Sequence, residues 1–254
     1  MSTPETFAKT TPKAPGRFRL PDIPEKHPDD MTSSKQLAAD GTQSRLKSWL
    51  GHPETTIVFG ERYVCAAPGA PMRYPDLLVA FDADPELYEA DNGYVASLQG
   101  RAPDLALEIA SRHTWRIDVE VKPEFYAGLG VEEYWRFDET GEFHGTWLAG
   151  DRLVDGVYQP IDVETLPSGE LRGYSAVLGL YFCWREGRLD WYDPQAEDYI
   201  PSQESERRGR FAAEARAATA EARANTERQA REAAEARVRE LEERYGERPS
   251  GEQS

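Results

Sequence analysis

One acid inside the run Asp104-Leu-Ala-Leu-Glu-Ile-Ala110 constrains this chain more than any other feature. Leu105, Leu107 and Ile109 surround Glu108, and so short an apolar run reads as a buried strand. Burying a carboxylate there is costly unless it is paired or bound to a cation. A second acid, Asp76, follows Pro75 and opens another apolar run that ends at Phe81. Two such carboxylates on neighbouring strands, with Lys122 further along, make a candidate divalent-metal site. Oxygen ligands of this kind suit Mg²⁺ or Mn²⁺.

Each residue also has a plainer reading. Asp76 could cap a turn after Pro75, and Glu108 could sit in a structural ion pair with Arg116 or Lys122. Asp104 lies two strand periods from Glu108 and shares its face, but it reads better as a turn carboxylate. Lys122 precedes Pro123, which a helix accepts only in its first turn. A helix beginning near Val121 or Lys122 would take Asp118 off a shared face and leave Lys122 as a solvated helix-start residue.

The charge balance limits the partners. A net charge of -16 makes a poor general platform for a polyanion, so any DNA contact must come from a local basic cluster. Arg112, His113 and Arg116 lie between the Glu108 strand and the following helix. They are the candidates for phosphate contacts, although such a cluster also suits a solvated loop. Cys65 and Cys183 sit in apolar contexts, which points to free thiols in a reducing compartment. No signal-peptide or membrane-spanning run is present, so a cytoplasmic protein with no membrane partner is expected. The four histidines lack metal-ligand spacing, which argues against zinc. Phosphate-loop, dinucleotide and serine-nucleophile signatures are also missing from the sequence.

Along the chain, residues 1–30 read as a flexible arm, 31–202 as one domain, 203–245 as a long helix and 246–254 as a disordered tail. Within the domain, Leu37, Leu46, Trp49 and Leu50 suit an amphipathic helix from Ser34 to Leu50. Strands are expected at 56–59, 63–67 and 76–81, followed by an acidic surface connection from Asp82 to Gly100. After the Glu108 strand comes a helix ending near Gly128 or Gly130. The alternating strand Glu132 to Asp138 then places Tyr134, Trp135 and Phe137 in the core. Asp155-Gly156 marks one hairpin; Val177 to Trp184 and Leu189 to Tyr192 form a second. From Ser205 to Tyr245 the composition is Ala, Glu and Arg, with Glu227–Arg231, Glu235–Arg239 and Glu240–Arg244 spaced as helix pairs. Ala234, Val238, Leu241 and Tyr245 fit a thin coiled-coil seam.

At Asp76, Glu108, Ser111, Thr114, Asp118, Lys122, Tyr126 and Gly130-Val-Glu-Glu-Tyr-Trp135, the chain resembles the bacterial Uma-two family. The most specific part runs from Pro103 to Trp135, and the resemblance spans about residues 30 to 200. It implies an α/β (α+β) restriction-endonuclease-like PD-(D/E)XK fold, with an αβββαβ core, a mixed central sheet, extra hairpins and the C-terminal helix. It implies Asp76 and Glu108 as ligands of Mg²⁺ (or Mn²⁺), Lys122 as the catalytic lysine and Asp118 in support. The usual motif places that lysine two residues after the acid, here Ala110, so Lys122 is a displaced equivalent. The implied activity is metal-dependent endonucleolytic hydrolysis of DNA. The alternative is a catalytically weak or inactive nuclease-fold module that binds or assembles through its C-terminal helix, as a homodimer or with another coiled-coil partner. A two-carboxylate glycosidase ranks below both, since only the aromatics suggest a sugar cleft.

Overall fold

The computed structural model describes residues 18–24, 42–52, 54–201 and 203–246. Most of the expected arm, the first half of the Ser34–Leu50 helix with Leu37, and the tail beyond 246 lie outside the described residues. The chain divides into two compact units, Met1–Ser202 and Gln203–Ser254.

In the first unit, α1 (Thr42–Leu50) leads into β1 (Ile57–Phe59), β2 (Tyr63–Cys65), β3 (Met72–Arg73) and β4 (Leu77–Ala80). The next stretch is not the surface connection expected from its acidity. It folds into α2 (Pro85–Asp91), β5 (Gly93–Val95) and α3 (Ala96–Gln99). Asp84 caps α2 by accepting the Glu86 and Leu87 N–H groups, Pro85 starts it, and Asn92 closes it with φ 57°. Tyr88 and Tyr94 from this stretch are buried, which outweighs the acidic residues around them.

Then follow β6 (Leu105–Ile109), α4 (Trp115–Glu120), α5 (Lys122–Leu129) and β7 (Glu133–Phe137). This crossover joins β6 and β7, which pair in parallel. A hairpin of β8 (Leu148–Val154) and β9 (Val157–Ile161) turns at Asp155-Gly156, both at positive φ. The remaining strands are β10 (Val163–Thr165), β11 (Leu171–Ser175), β12 (Leu180–Arg185), β13 (Arg188–Asp193) and β14 (Asp198–Tyr199). The second expected hairpin is β12–β13, but its first strand starts at Leu180. Gly179, at φ 68°, donates its N–H to Ser175 and makes the preceding residues a turn.

The central sheet has the order β1-β4-β6-β7-β8-β9 and is mixed; β10 to β14 form a second, antiparallel sheet, and β3-β2-β5 a small third one. Leu105, Leu107 and Trp135 face the second sheet, where they meet Leu180, Phe182 and Trp191. The Trp135 and Phe182 rings stack 4.2 Å apart. Glycines make room for this indole on both sides: a Cβ at Gly150 or Gly173 would lie 2.7 or 2.8 Å from it. Buried Glu133 ties the sheets together, accepting from Trp135 Nε1, Ser175 Oγ, the Ala176 N–H and Arg152. The opposite face of the central sheet carries Leu78, Ala106 and Tyr134 against Tyr126 of α5 and Tyr88 of α2. Glu108 belongs to this helix-covered face, because it alternates with Leu107 and Ile109.

Phe18 and Leu20 pack on Cys65 and Val95, and the Leu20 N–H bonds to the Asp91 carbonyl. Cys65 and Cys183 are buried, free thiols. The second unit is α6 (Gln203–Gly246), in which Arg231 pairs with Glu235 and Arg237 with Glu240, different partners from those the spacing suggested. No helix among the described residues is long and apolar enough to cross a membrane.

Candidate active site

The acid cluster is assembled by register and by one helix face. β4 and β6 pair antiparallel with Leu77 opposite Leu107. One residue further along, that register sets Asp76 opposite Glu108. Asp76 Oδ2 accepts the Ile109 N–H at 2.8 Å, which orients its carboxylate beside Glu108. Glu108 is 1% exposed. Its Oε1 accepts from Tyr126 Oη at 2.8 Å, and its Oε2 lies 2.6 Å from Lys122 Nζ.

Lys122 also lies 2.8 Å from Asp118 Oδ1, so the break expected at Pro123 does not separate them. Val121 joins the two helices with φ -116° and ψ -45°, still within the right-handed helical region. Its N–H bonds to the Ile117 carbonyl, and Phe125 bonds back to the Val121 carbonyl. The chain therefore keeps its helical turn, although Pro123 has no N–H to add to the ladder. Lys122 is 7% exposed, so it is a buried ion-pair member rather than a solvated helix start.

The electrostatics follow from burial. Desolvation pushes the Glu108 carboxyl up to about 8; Lys122 opposes this, but the charges of Asp118 and Asp76 add to it. Burial works against the Lys122 ammonium, but Glu108, Asp118 and Asp76 outweigh it and raise its pKa, keeping it charged. Burial and the Glu108 charge hold Tyr126 well above the usual phenol range, so it remains a donor. Three carboxylates thus surround one buried cation.

That charge excess is what a divalent ion would offset, and the donors are hard oxygens. Among the described residues, no three His, Cys, Asp or Glu side chains form a ready metal-ligand group. Two carboxylates completed by water or phosphate oxygens are a donor set typical of Mg²⁺. The residues fit such an ion at Asp76 and Glu108.

Arg112, His113 and Arg116 are exposed in or beside the β6–α4 connection. The Arg116 guanidinium lies over the Trp115 ring, not against Glu108. Asp104 is not drawn into the cluster: it accepts the Phe81 N–H and pairs with Arg101. His144 is a neighbour that sequence reasoning missed, with Nε2 3.4 Å from Asp118 Oδ2 and a side chain 1% exposed. Twenty-six residues and a turn-rich loop separate it from Asp118, so no spacing signal pointed to it. Tyr126 had a local signal, since it follows Lys122 by one helical turn.

A mixed sheet crossed by helices, with an acid–lysine cluster where β4 and β6 meet α5, defines a restriction-endonuclease-like protein. The family described as "Uma2: Putative restriction endonuclease" matches residues 31–215, and the chain belongs to that family. Among solved structures, the chain is similar to "a putative nuclease belonging to DUF820" from Anabaena variabilis ATCC 29413. The two are 18% identical, the match covers 57% of this chain and 77% of that one, and the TM-score is 0.37. No curated protein matches the chain.

Proposed function

We propose that this protein is a Mg²⁺- or Mn²⁺-dependent endonuclease that hydrolyses phosphodiester bonds in DNA. The observation that carries this reading is the set formed by half-buried Asp76 and buried Glu108 and Asp118 around buried Lys122. Asp76 and Glu108 would hold the ion, which supplies Lewis-acid polarisation of the phosphate and a more acidic water. The Ile109 N–H fixes Asp76 and Tyr126 fixes Glu108, so neither carboxylate must reorganise. Lys122, held charged by Glu108 and Asp118, stabilises negative charge developing on the phosphate. Arg112, His113 and Arg116 grip flanking phosphates and locally offset the acidic body.

The test is cleavage of plasmid and oligonucleotide DNA with Mg²⁺ or Mn²⁺, with an EDTA control, by wild type beside Glu108→Ala. Metal-dependent cutting lost in the variant is expected. Equal cutting by a clean variant preparation, or none by folded wild type, would count against this reading.

A second reading, an assembly module built on the same fold, is favoured by one specific observation. Residues 207–244 of α6 are exposed throughout. In this reading the fold is catalytically weak or inactive and serves binding or assembly through α6; robust cleavage by the wild type, or a monomeric full-length chain, would count against it.

A further inference from the structure

The loop of residues 138–147, which joins β7 to β8 and delivers His144 to Asp118, ends in a second feature. Trp147 is 45% exposed, more than any other tryptophan of the chain. Its ring lies 5.5 Å from that of half-buried Trp184 on β12, tilted by 42°. An indole has one polar atom, and the loop backbone takes both of them. Trp147 Nε1 donates to the Thr140 carbonyl at 2.9 Å, and Trp184 Nε1 donates to the Glu139 carbonyl at 3.1 Å. Asp138 holds the loop in turn by accepting the Thr140, Phe143 and His144 N–H groups. Gly141, at φ 75°, fits against Trp147, where a Cβ would come 2.7 Å from Nε1. The pair is therefore fixed before anything binds, and its open surface has no unmet hydrogen-bonding group.

Register sets how far this pair lies from the acids. Ile109 pairs with Phe137, and Phe137 with Leu148. One residue further on, the Ala110 N–H bonds to the Phe137 carbonyl and the Asp138 N–H to the Trp147 carbonyl, so the ladder reaches that level too. The Trp147 backbone thus sits at the end of the central sheet where Asp76 meets Glu108, two strands from β6. At about 4.8 Å per strand, that is about 10 Å across the sheet. Charge says what such a surface receives. Glu139 and Glu142 are exposed on the same loop, so a phosphate is repelled there and an uncharged planar ring is not. A nucleobase offers such a ring, and its stacking on an aromatic side chain tolerates any sequence. Inside a duplex both faces of a base are already stacked, so an unpaired base is the one free to dock.

We infer that Trp147, backed by Trp184, is a stacking site for one unpaired nucleobase of the DNA strand whose phosphate lies at Asp76, Glu108 and Lys122. The inference deepens the nuclease reading above and rests on it. It names the substrate class: single-stranded DNA, or the unpaired part of a branched or distorted duplex.

The experiment measures binding apart from cleavage. A fluorescently labelled oligonucleotide, single-stranded or annealed to its complement, is titrated with the full chain in Ca²⁺, and a gel confirms that the strand stays intact. Wild type should bind the single strand more tightly than the duplex. Trp147→Ala should cut that preference about five- to a hundredfold. Trp147→Phe, which keeps a ring but has no Nε1–H, should retain most of it, and thermal denaturation checks that both variants are folded. An abasic site moved along the strand should cost as much as Trp147→Ala at one position, and should cost the variant nothing more there. Equal weakening of single strand and duplex by Trp147→Ala overturns the inference, as does a Trp147→Phe as weak as Trp147→Ala. Binding of a glucan oligosaccharide in place of the oligonucleotide also overturns it. Metal-dependent cleavage with no preference for unpaired DNA overturns the inference and leaves the nuclease reading standing. Binding of the single strand through Trp147, with no cleavage in Mg²⁺ or Mn²⁺, supports the stacking site and counts against the nuclease reading alone.

Discussion

Lys122 reaches Asp118 across the junction of two helices, 2.8 Å from nitrogen to oxygen, although Pro123 marks that junction in the sequence. The same ammonium reaches Glu108 on β6. One cation therefore joins the sheet to the helix that covers it, and its loss should be felt in both fold and chemistry.

Lys122→Met removes the lysine that pairs with two buried acids, Glu108 and Asp118. Breaking a buried ion pair in this way costs about 3–5 kcal/mol. Urea denaturation should show a loss of that order, and Mg²⁺ should recover part of it by offsetting the same charge. Cleavage should fall about 10²-fold or more. A variant as stable as wild type in the absence of metal would contradict the burial argument.

How legible this site was depends on the residue. Glu108 announced itself because it interrupts an apolar strand, where period-two alternation fixed its face, and Asp76 because it opens an apolar run after Pro75. The Lys122–Asp118 contact looked excluded, because proline signals a helix start but does not say whether the preceding turn stays helical. His144 was invisible: its position is set by a loop whose path depends on contacts far apart in sequence. The helix and strand hidden in Asp82 to Gly100 were misjudged for another reason. Acidic surface residues dominated the composition there, while Asp84-Pro85 carried the cap signal.

Gly60 lies against the backbone of Asp76, where a Cβ would come 1.8 Å from the carbonyl oxygen. Gly60→Ala must push β4 away from its position. Overpacking of this kind costs about 1–3 kcal/mol. The sharper readout is thermal stabilisation by Mg²⁺, which should shrink or vanish although residue 60 is no ligand. An unchanged metal response would show that Asp76 is not held from this side.

Glu133 is buried and accepts bonds from Trp135, Ser175, the Ala176 N–H and Arg152. Glu133→Ala strands several of these donors and should cost about 3 kcal/mol. It faces away from Glu108, so Mg²⁺ should raise the melting temperature of the variant as much as it does for wild type. Loss of the metal response with little loss of stability would reverse this assignment of roles.

Asp138 organises the loop that delivers His144. Burial works against its charge, but the N–H donors of His144, Phe143, Thr140 and Gly141 outweigh it and hold the carboxyl below its usual range. A depressed folded pKa means stability that is full above the unfolded value and lost as pH falls through the folded one. The stability gap between wild type and Asp138→Asn should therefore be widest near neutral pH and close in acid, below the ordinary Asp value of 3.8. Denaturation midpoints across pH 3–7 would test it; a gap that widens in acid would refute it.

The indole of Trp135, enclosed by Gly150, Gly173 and Phe182, sets a rule for shortening this protein. The second sheet looks like an appendix in the order of the chain, yet it forms one wall of the compartment that this ring fills. A chain cut after β9 would not be a smaller version of this protein. It would be a sheet with its largest side chain uncovered, and it would need a substitute lid or a smaller residue at 135 to remain in solution.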